Sequence, residues 1–235
     1  IYPITDDQEF IAELLVADEA AFDTLAPLLE RLHAAGVRGA TLLVKARIEG
    51  LQKRLDRFTR ALALARERDL TVVVFLMGLE SFSDRALSLY NKGVTAAEIG
   101  ACLGALKDLE TRYPESFSIS RYRSHGFVLF NPWTTMEELE DNLRAFERHG
   151  IAALSGKAAH SRLRLYKWQP LYALALADGL VTEDRELEHH LGYATDEVPW
   201  RFADPDVAAV YRDVCDGIAE QGEAAAAFLT DGIET

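Results

Sequence analysis

Short apolar runs alternate with segments of helical periodicity along the chain. The runs predict strands at residues 13–17, 40–44, 71–77 and 127–130, and shorter extended segments at 151–154 and 162–166. The clearest run is 71–77, in which Val72, Val73 and Val74 are β-branched and no residue is charged. An unbroken apolar run is typical of a strand that is buried on both faces, as in a parallel sheet.

The segments between these runs predict helices at 22–35, 51–68, 84–90, 95–110, 136–149, 170–178 and 204–229. Thr95 and Glu98 form a capping-box pattern at the start of one helix, and Thr134 or Thr135 precedes another. Strands that alternate with helices indicate βαβ units with parallel pairing. Five to six strands are too few for a closed eight-stranded barrel. We therefore predict an α/β fold, a partial (β/α) barrel or horseshoe with parallel strands, plus a helical C-terminal appendage.

The 235 residues are enough for one α/β domain with a full core. We predict that this domain covers 1–195 and that the helical appendage covers 196–235, since the stretch 195–205 is rich in proline and acidic residues. Cys102 and Cys215 lie far apart in sequence and neither belongs to a CxxC motif, so we expect both to be reduced thiols.

The net charge of -13 disfavours binding to nucleic acid or to an anionic membrane. It leaves room for a local basic pocket formed by Arg121, Arg123, Arg162, Arg164 and Lys167. No apolar run approaches the roughly 18 residues of a membrane span, and no signal-peptide pattern is present. We expect a cytoplasmic protein that acts on a small molecule.

Polar residues follow several of the predicted strands, where a parallel sheet delivers groups into a ligand site. They are Asp18, Glu19, Arg47, Glu80, Ser81 and Asn131. Their carboxylates and amide can accept hydrogen bonds from hydroxyls and an amine, and the guanidinium can bind a carboxylate. The set suits a zwitterionic ligand that carries a ribose. Ser81, Ser83 and Asp84 are equally suited to capping the helix that follows.

Two segments near Glu80 carry a resemblance to a known family. Residues 78–84 read Gly-Leu-Glu-Ser-Phe-Ser-Asp, and 87–93 read Leu-Ser-Leu-Tyr-Asn-Lys-Gly. These two sequences resemble the corresponding segments of radical S-adenosylmethionine (SAM) enzymes, particularly those with B12-binding domains. In that family the corresponding strand end contacts the ribose of SAM, so the resemblance implies this role for Glu80 and Ser81.

Further segments extend the resemblance over residues 13–180. Residues 125–143 resemble the fifth strand and its helix, which implies that Asn131 and Pro132 line the cofactor. Residues 163–180 resemble the sixth-strand stretch, although Lys-Trp-Gln at 167–169 replaces the usual Pro-Gly-Thr. Looser matches at 16–19 and 45–49 add Asp18 and Arg47 to the cofactor residues.

Basic and histidine residues supply the predicted substrate contacts. His125 follows a basic cluster and precedes a predicted strand, and Arg164 lies in a second basic stretch. We predict that these two residues bind substrate, and we assign no catalytic residue and no metal ligand within the chain.

The resemblance also implies a [4Fe–4S] cluster, held by a CxxxCxxC loop, and reductive cleavage of SAM to a 5′-deoxyadenosyl radical. Cys102 and Cys215 do not form that motif. We therefore expect the cluster ligands, with the first strand, in an N-terminal segment of the same protein that is missing here, and we expect the chain alone to be inactive. The B12-binding subgroup adds cobalamin as a candidate cofactor.

Two alternatives remain open at this stage. The first is a cluster-free (β/α) barrel that binds a nucleoside-like ligand without radical chemistry. The second is a non-radical metabolic barrel in which Asp18, Glu80 and His125 act as acid–base groups.

Overall fold

The computed structural model describes residues 11–15, 22–182 and 196–231, which divide into two compact units. The first unit takes its residues from Ile1–Phe127 and Asp141–Ala158, and the second from Val128–Glu140 and Ala159–Thr235. The predicted boundary between 1–195 and 196–235 was placed on composition and stays a prediction.

The first unit contains a five-stranded sheet in which every pairing is parallel. Its strands are β1 (Ile11–Leu15), β2 (Ala40–Arg47), β3 (Leu70–Glu80), β4 (Phe117–Ser118) and β5 (Gly126–Phe127). The long strand β3 pairs with β2 along one edge. Along its other edge it pairs first with β4, at Val72 and Val73, and then with β5, at Gly78 and Glu80.

Helices follow most of the strands. In chain order they are α1 (Phe22–Ala34), α2 (Ile48–Lys53), α3 (Leu55–Glu67), α4 (Asp84–Leu89), α5 (Ala96–Arg112), α6 (Met136–His149), α7 (Ile151–Leu154), α8 (Pro170–Ala177) and α9 (Pro205–Asp231), with a 3-10 turn at Ala158–His160. The core between sheet and helices includes an edge-to-face chain of rings, Phe22 to Phe58 to Phe117, with centroid separations of 6.0 and 5.3 Å. Such ring pairs stabilise a core beyond their buried area.

Several predicted elements are confirmed by local contacts. The Thr95 hydroxyl accepts from the Glu98 N–H and the Glu98 side chain accepts from the Thr95 N–H, so the capping box forms. The helix at 136–149 has the predicted bounds, and Thr135 and Glu138 form the same reciprocal pair at its start.

Other predictions were wrong in detail. The helix predicted over 51–68 is two helices, α2 and α3, because Arg54 leaves the helical conformation at φ -121° and ψ 19°. The segment 151–154, predicted as extended, is the short helix α7. A strand was predicted over 127–130, but the observed strand β5 covers Gly126–Phe127. The two-residue strand β4 was not predicted.

The second unit is held by an aromatic cluster and a buried ion pair. Phe130, Phe202 and Tyr211 contact one another at centroid distances of 4.9 to 6.1 Å, and Trp200 packs against Phe202. Arg162 Nη1 lies 2.9 Å from Glu197 Oε1, with side-chain exposures of 4% and 0%. The pair connects two segments of the chain. One contains Arg162, which forms a β-bridge with Phe130, and the other contains Glu197 and precedes Trp200.

No helix within the described ranges is both long and apolar enough to cross a membrane.

The ion pair in the second unit gives a stability prediction. Replacing Glu197 with Leu removes the buried carboxylate that pairs with the Arg162 guanidinium, which we expect to lower the free energy of unfolding by about 3–5 kcal/mol. In the double variant Arg162→Met/Glu197→Leu we expect most of that loss to be recovered, because both charges are gone. Urea unfolding of the wild type, Glu197→Leu, Arg162→Met and the double variant measures these differences. A double variant as unstable as the sum of the single variants would contradict the prediction.

Candidate functional site

Strand β3 ends at a residue held in an unusual backbone conformation. Glu80 has φ 65°, in the left-handed region that non-glycine residues seldom occupy. The register between β3 and β5 shifts between Gly78 and Glu80, so the strand turns at this point. A non-glycine residue in this region costs on the order of 1–3 kcal/mol, and such residues are concentrated at functional sites.

Gly78 gives the Glu80 side chain room to fold back against the strand. A methyl group built on Gly78 would lie 2.2 Å from Glu80 Oε1. The Glu80 carboxylate therefore occupies the space that any larger residue at position 78 would take, and a side chain at 78 would displace it.

Lys92 is the residue that contacts this carboxylate. Its ammonium nitrogen lies 3.2 Å from the Gly78 carbonyl oxygen, 3.5 Å from Glu80 Oε1 and 3.6 Å from Glu49 Oε2. The Lys92 side chain is 9% exposed, so its charge needs compensation from these oxygens. We call Glu49, Glu80 and Lys92 the carboxylate–lysine cluster.

Arg47 lies at the end of β2, next to the same turn. It is paired in register with Gly78, and its guanidinium forms an ion pair with Glu49. The Arg47 side chain is 62% exposed. Because the two strands are parallel, their carboxyl ends bring Arg47 and Glu80 to one edge of the sheet.

Ser81 is used inside the protein. It is buried, and its hydroxyl donates to Asn142 Oδ1 at 3.2 Å and accepts from the Ser83 N–H at 3.1 Å. Asn142 Oδ1 also accepts from the Phe82 N–H at 2.7 Å, and Ser83 caps α4. Ser81 therefore shapes the turn after Glu80, and its predicted cofactor contact stays a prediction.

His125 is a buried core residue of the first unit. Its Nδ1 accepts from the Met77 N–H at 3.2 Å and its Nε2 donates to the Ile119 carbonyl oxygen at 2.6 Å. Burial lowers the pKa of this imidazole, which keeps it neutral near pH 7. Both ring nitrogens are thus engaged within the protein, and the predicted contact of His125 with substrate stays a prediction.

The remaining predicted site residues lie elsewhere. Asn131 is buried in the second unit, where its Oδ1 accepts from the Trp133 N–H at 2.8 Å. The Pro132 carbonyl accepts from the Ala203 N–H at 2.8 Å, and Arg164 is exposed in the same unit. Asp18 lies outside the described residues.

The described residues do not suit an iron–sulfur cluster. Iron–sulfur clusters are ligated by sets of cysteine thiolates, whereas the chain has 2 cysteines that lie far apart in sequence. Burial raises the pKa of the Cys102 thiol to about 12. Burial also raises the pKa of Cys215. Among these residues there is no group of three or more His, Cys, Asp or Glu side chains that could hold a metal ion.

Glu80 and Arg47 are predicted site residues, whereas the sequence predicted no role for Lys92 or Glu49. Lys92 was part of the Asn-Lys-Gly segment used for the resemblance. The flanking Asn91 and Gly93, with φ 52° and 68°, are residue types that tolerate the left-handed region. This was a usable signal for a tight turn that could bring Lys92 back toward the sheet.

Comparison with known proteins finds solved structures of similar fold. No protein-family profile and no curated protein matches the sequence. The structure of the cobalamin-dependent S-adenosylmethionine radical enzyme OxsB, with aqua-cobalamin and S-adenosylmethionine bound, matches with a TM-score of 0.56 at 14% identity, over 85% of this chain. OxsB with aqua-cobalamin alone matches with a TM-score of 0.55 at 12% identity, over 82% of this chain.

The chain spans 31–32% of the length of these OxsB chains. At such low identity the likeness establishes the fold. It confirms the predicted α/β class with parallel strands and a C-terminal helix, of the partial-barrel kind.

The lowered pKa of His125 gives a prediction of pH dependence. When the pH falls below 6.5, the ordinary pKa of histidine, His125 becomes protonated in the unfolded chain. In the folded chain its lowered pKa keeps it neutral to a lower pH. Its contribution to stability is therefore complete above pH 6.5 and is lost as the pH falls below that value. The pKa of His149 is also lowered by burial, which adds an effect of the same sign.

We therefore expect a lower free energy of unfolding at pH 5 than at pH 7.5. In His125→Gln this difference should shrink, because one of the two histidines no longer titrates. Urea unfolding at both pH values measures it, and an unchanged difference in the variant would contradict the assignment.

Proposed function

We propose that this chain is the SAM-binding and substrate-pocket portion of a radical SAM enzyme that acts on a small molecule in the cytoplasm. The observation that carries the proposal is Glu80, a strained carboxylate at the end of β3, within the segment that resembles the ribose-contacting segment of that family. Support also comes from the fold, which is shared with an enzyme whose structure holds SAM.

The groups at this sheet edge suit SAM as a ligand. Glu80 is 28% exposed, and within the described residues its Oε2 accepts no hydrogen bond, so it can accept from a ribose hydroxyl. The exposed guanidinium of Arg47 can bind the carboxylate of the methionine portion. In the proposal these two side chains bind and orient the ligand, and Asp18, Ser81, Asn131 and Pro132 are further predicted contacts.

We place the cluster ligands outside this chain, since Cys102 and Cys215 do not form the CxxxCxxC motif. In radical SAM enzymes a [4Fe–4S] cluster supplies the electron for reductive cleavage of SAM. Cobalamin as a further cofactor is supported by the aqua-cobalamin in the OxsB structures, and no described residue is assigned to it. The contribution of this chain is to hold SAM and substrate in a fixed orientation and to keep water away from the reacting atoms.

The test of the proposal is Glu80→Gln. The substitution removes the negative charge but keeps the shape, so we expect SAM to bind about 10-fold more weakly, because hydrogen bonds to charged groups are the strong ones. Isothermal titration of SAM into the anaerobically reconstituted complete protein gives the dissociation constant. Production of 5′-deoxyadenosine by the same preparation tests the reaction.

Glu115→Gln is the matched control. Glu115 is exposed and precedes β4, at the amino ends of the strands, so the same chemical change there should leave SAM affinity unaltered. Equal affinities of wild type and Glu80→Gln would remove Glu80 from the site. Tight binding of SAM or adenosine without 5′-deoxyadenosine production would favour the cluster-free nucleoside-binding barrel.

A further inference from the structure

The carboxylate–lysine cluster contains one cation between two anions of unequal exposure. Glu49 is 14% exposed, and its Oε2, which faces Lys92, is buried and accepts no hydrogen bond among the described residues. Glu80 is 28% exposed. The Lys92 charge therefore has one enclosed carboxylate and one carboxylate that is open to a ligand.

Lys92 also crosses the strained turn. Its ammonium contacts the Gly78 carbonyl, which precedes the turn, and the Glu80 carboxylate, which follows it. A single buried cation thus ties the backbone of the strand to the side chain that leaves it. Because the side chain is almost fully enclosed, the ion pair with Glu80 is screened less by solvent than a surface pair.

The placement of Lys92 is itself fixed by a helix end. Helix α4 ends at Leu89, and the Lys92 N–H donates to the Leu87 carbonyl oxygen at 3.0 Å. Asn91 and Gly93 on either side have positive φ, so the chain reverses tightly around Lys92. The turn therefore fixes the backbone of Lys92, and the oxygens that its ammonium contacts fix the end of the side chain.

We propose that Lys92 is a positioning residue for the Glu80 carboxylate. It binds Oε1 and so keeps Oε2 turned toward the ligand at the end of β3. This inference rests on the proposed function, in which Glu80 binds SAM. It goes beyond it by assigning the affinity for SAM in part to a residue that need not touch the ligand.

A double-mutant cycle tests this role. The four proteins are wild type, Lys92→Met, Glu80→Gln and the double variant, each as the reconstituted complete protein. If Lys92 acts through Glu80, Lys92→Met should weaken SAM binding about 5- to 10-fold in wild type and less than about 2-fold in the Glu80→Gln background. Isothermal titration with SAM measures the affinities, and thermal unfolding shows whether each variant is folded.

The outcomes separate the inference from the proposed function. If Glu80→Gln weakens binding but Lys92→Met does not, the inference is overturned and the proposed function stands. If Lys92→Met causes the same loss in both backgrounds, Lys92 acts independently of Glu80, and the inference is again overturned. If Glu80→Gln has no effect, both are overturned.

Gly78→Ala offers a second variant that keeps every charge. The added methyl group would lie 2.2 Å from Glu80 Oε1, so the carboxylate has to leave its place beside Lys92. We expect a loss of SAM affinity of about 5- to 10-fold, similar to that of Lys92→Met, and little further loss when the two changes are combined. Unchanged affinity in Gly78→Ala would overturn the inference even if Lys92→Met failed to fold.

Gly104→Ala is the matched control for this variant. Gly104 lies in α5, and a methyl group added there would meet no atom within 4 Å outside its chain neighbours and the nearby backbone of its own helix. The same Gly-to-Ala change there should leave SAM affinity unaltered, and a loss equal to that of Gly78→Ala would count against the inference.

Discussion

The ammonium group of Lys92 lies between two carboxylates that follow neighbouring strands, and the arrangement of the sheet edge depends on this contact. Glu49 lies in the first turn of α2, which follows β2, and Glu80 is the last residue of β3. Parallel pairing brings these strand ends together, so without a cation the two carboxylates would face each other across a poorly solvated gap. Lys92 supplies that cation from the turn that follows α4, and Arg47 forms a second ion pair with Glu49. The position of Lys92 between the two carboxylates therefore depends on the strand order, on where α4 ends and on the turn that follows it.

The left-handed backbone of Glu80 is sustained by contacts on both sides of it. Before the turn, β3 is buried and paired along both edges, which leaves the strand little freedom to shift. After the turn, Asn142 accepts hydrogen bonds from Phe82 and Ser81, so the next two residues are fixed as well. The cost of the conformation is offset by these contacts, and the result is a carboxylate whose position is determined by rigid neighbours. That is what an orienting residue requires.

Local signals explain which parts of the fold could be predicted. The capping pairs at Thr95 and Thr135 depend on residues three positions apart, and both helices were predicted correctly. The break at Arg54 could not be predicted, because apolar periodicity continues through it. Likewise 151–154 is too short an apolar run to distinguish strand from helix. At the site, Glu80 was identified from its place after a strand. Lys92 was not, since its contact depends on a turn and on the absence of a side chain at Gly78.

The groups that the described residues place at the sheet edge are suited to binding and orienting a ligand. Cys102 and Cys215 are both buried, and no group of three or more potential metal ligands is found among the described residues. The sheet edge, by contrast, offers one carboxylate and one guanidinium that are both accessible and both held by opposite charges behind them. Opposite charges behind the binding groups restrict their rotamers before a ligand arrives, which lowers the entropy lost on binding. In the proposed function, a zwitterion with hydroxyl groups such as SAM benefits from this pair, because each end of it meets a group that is already in place.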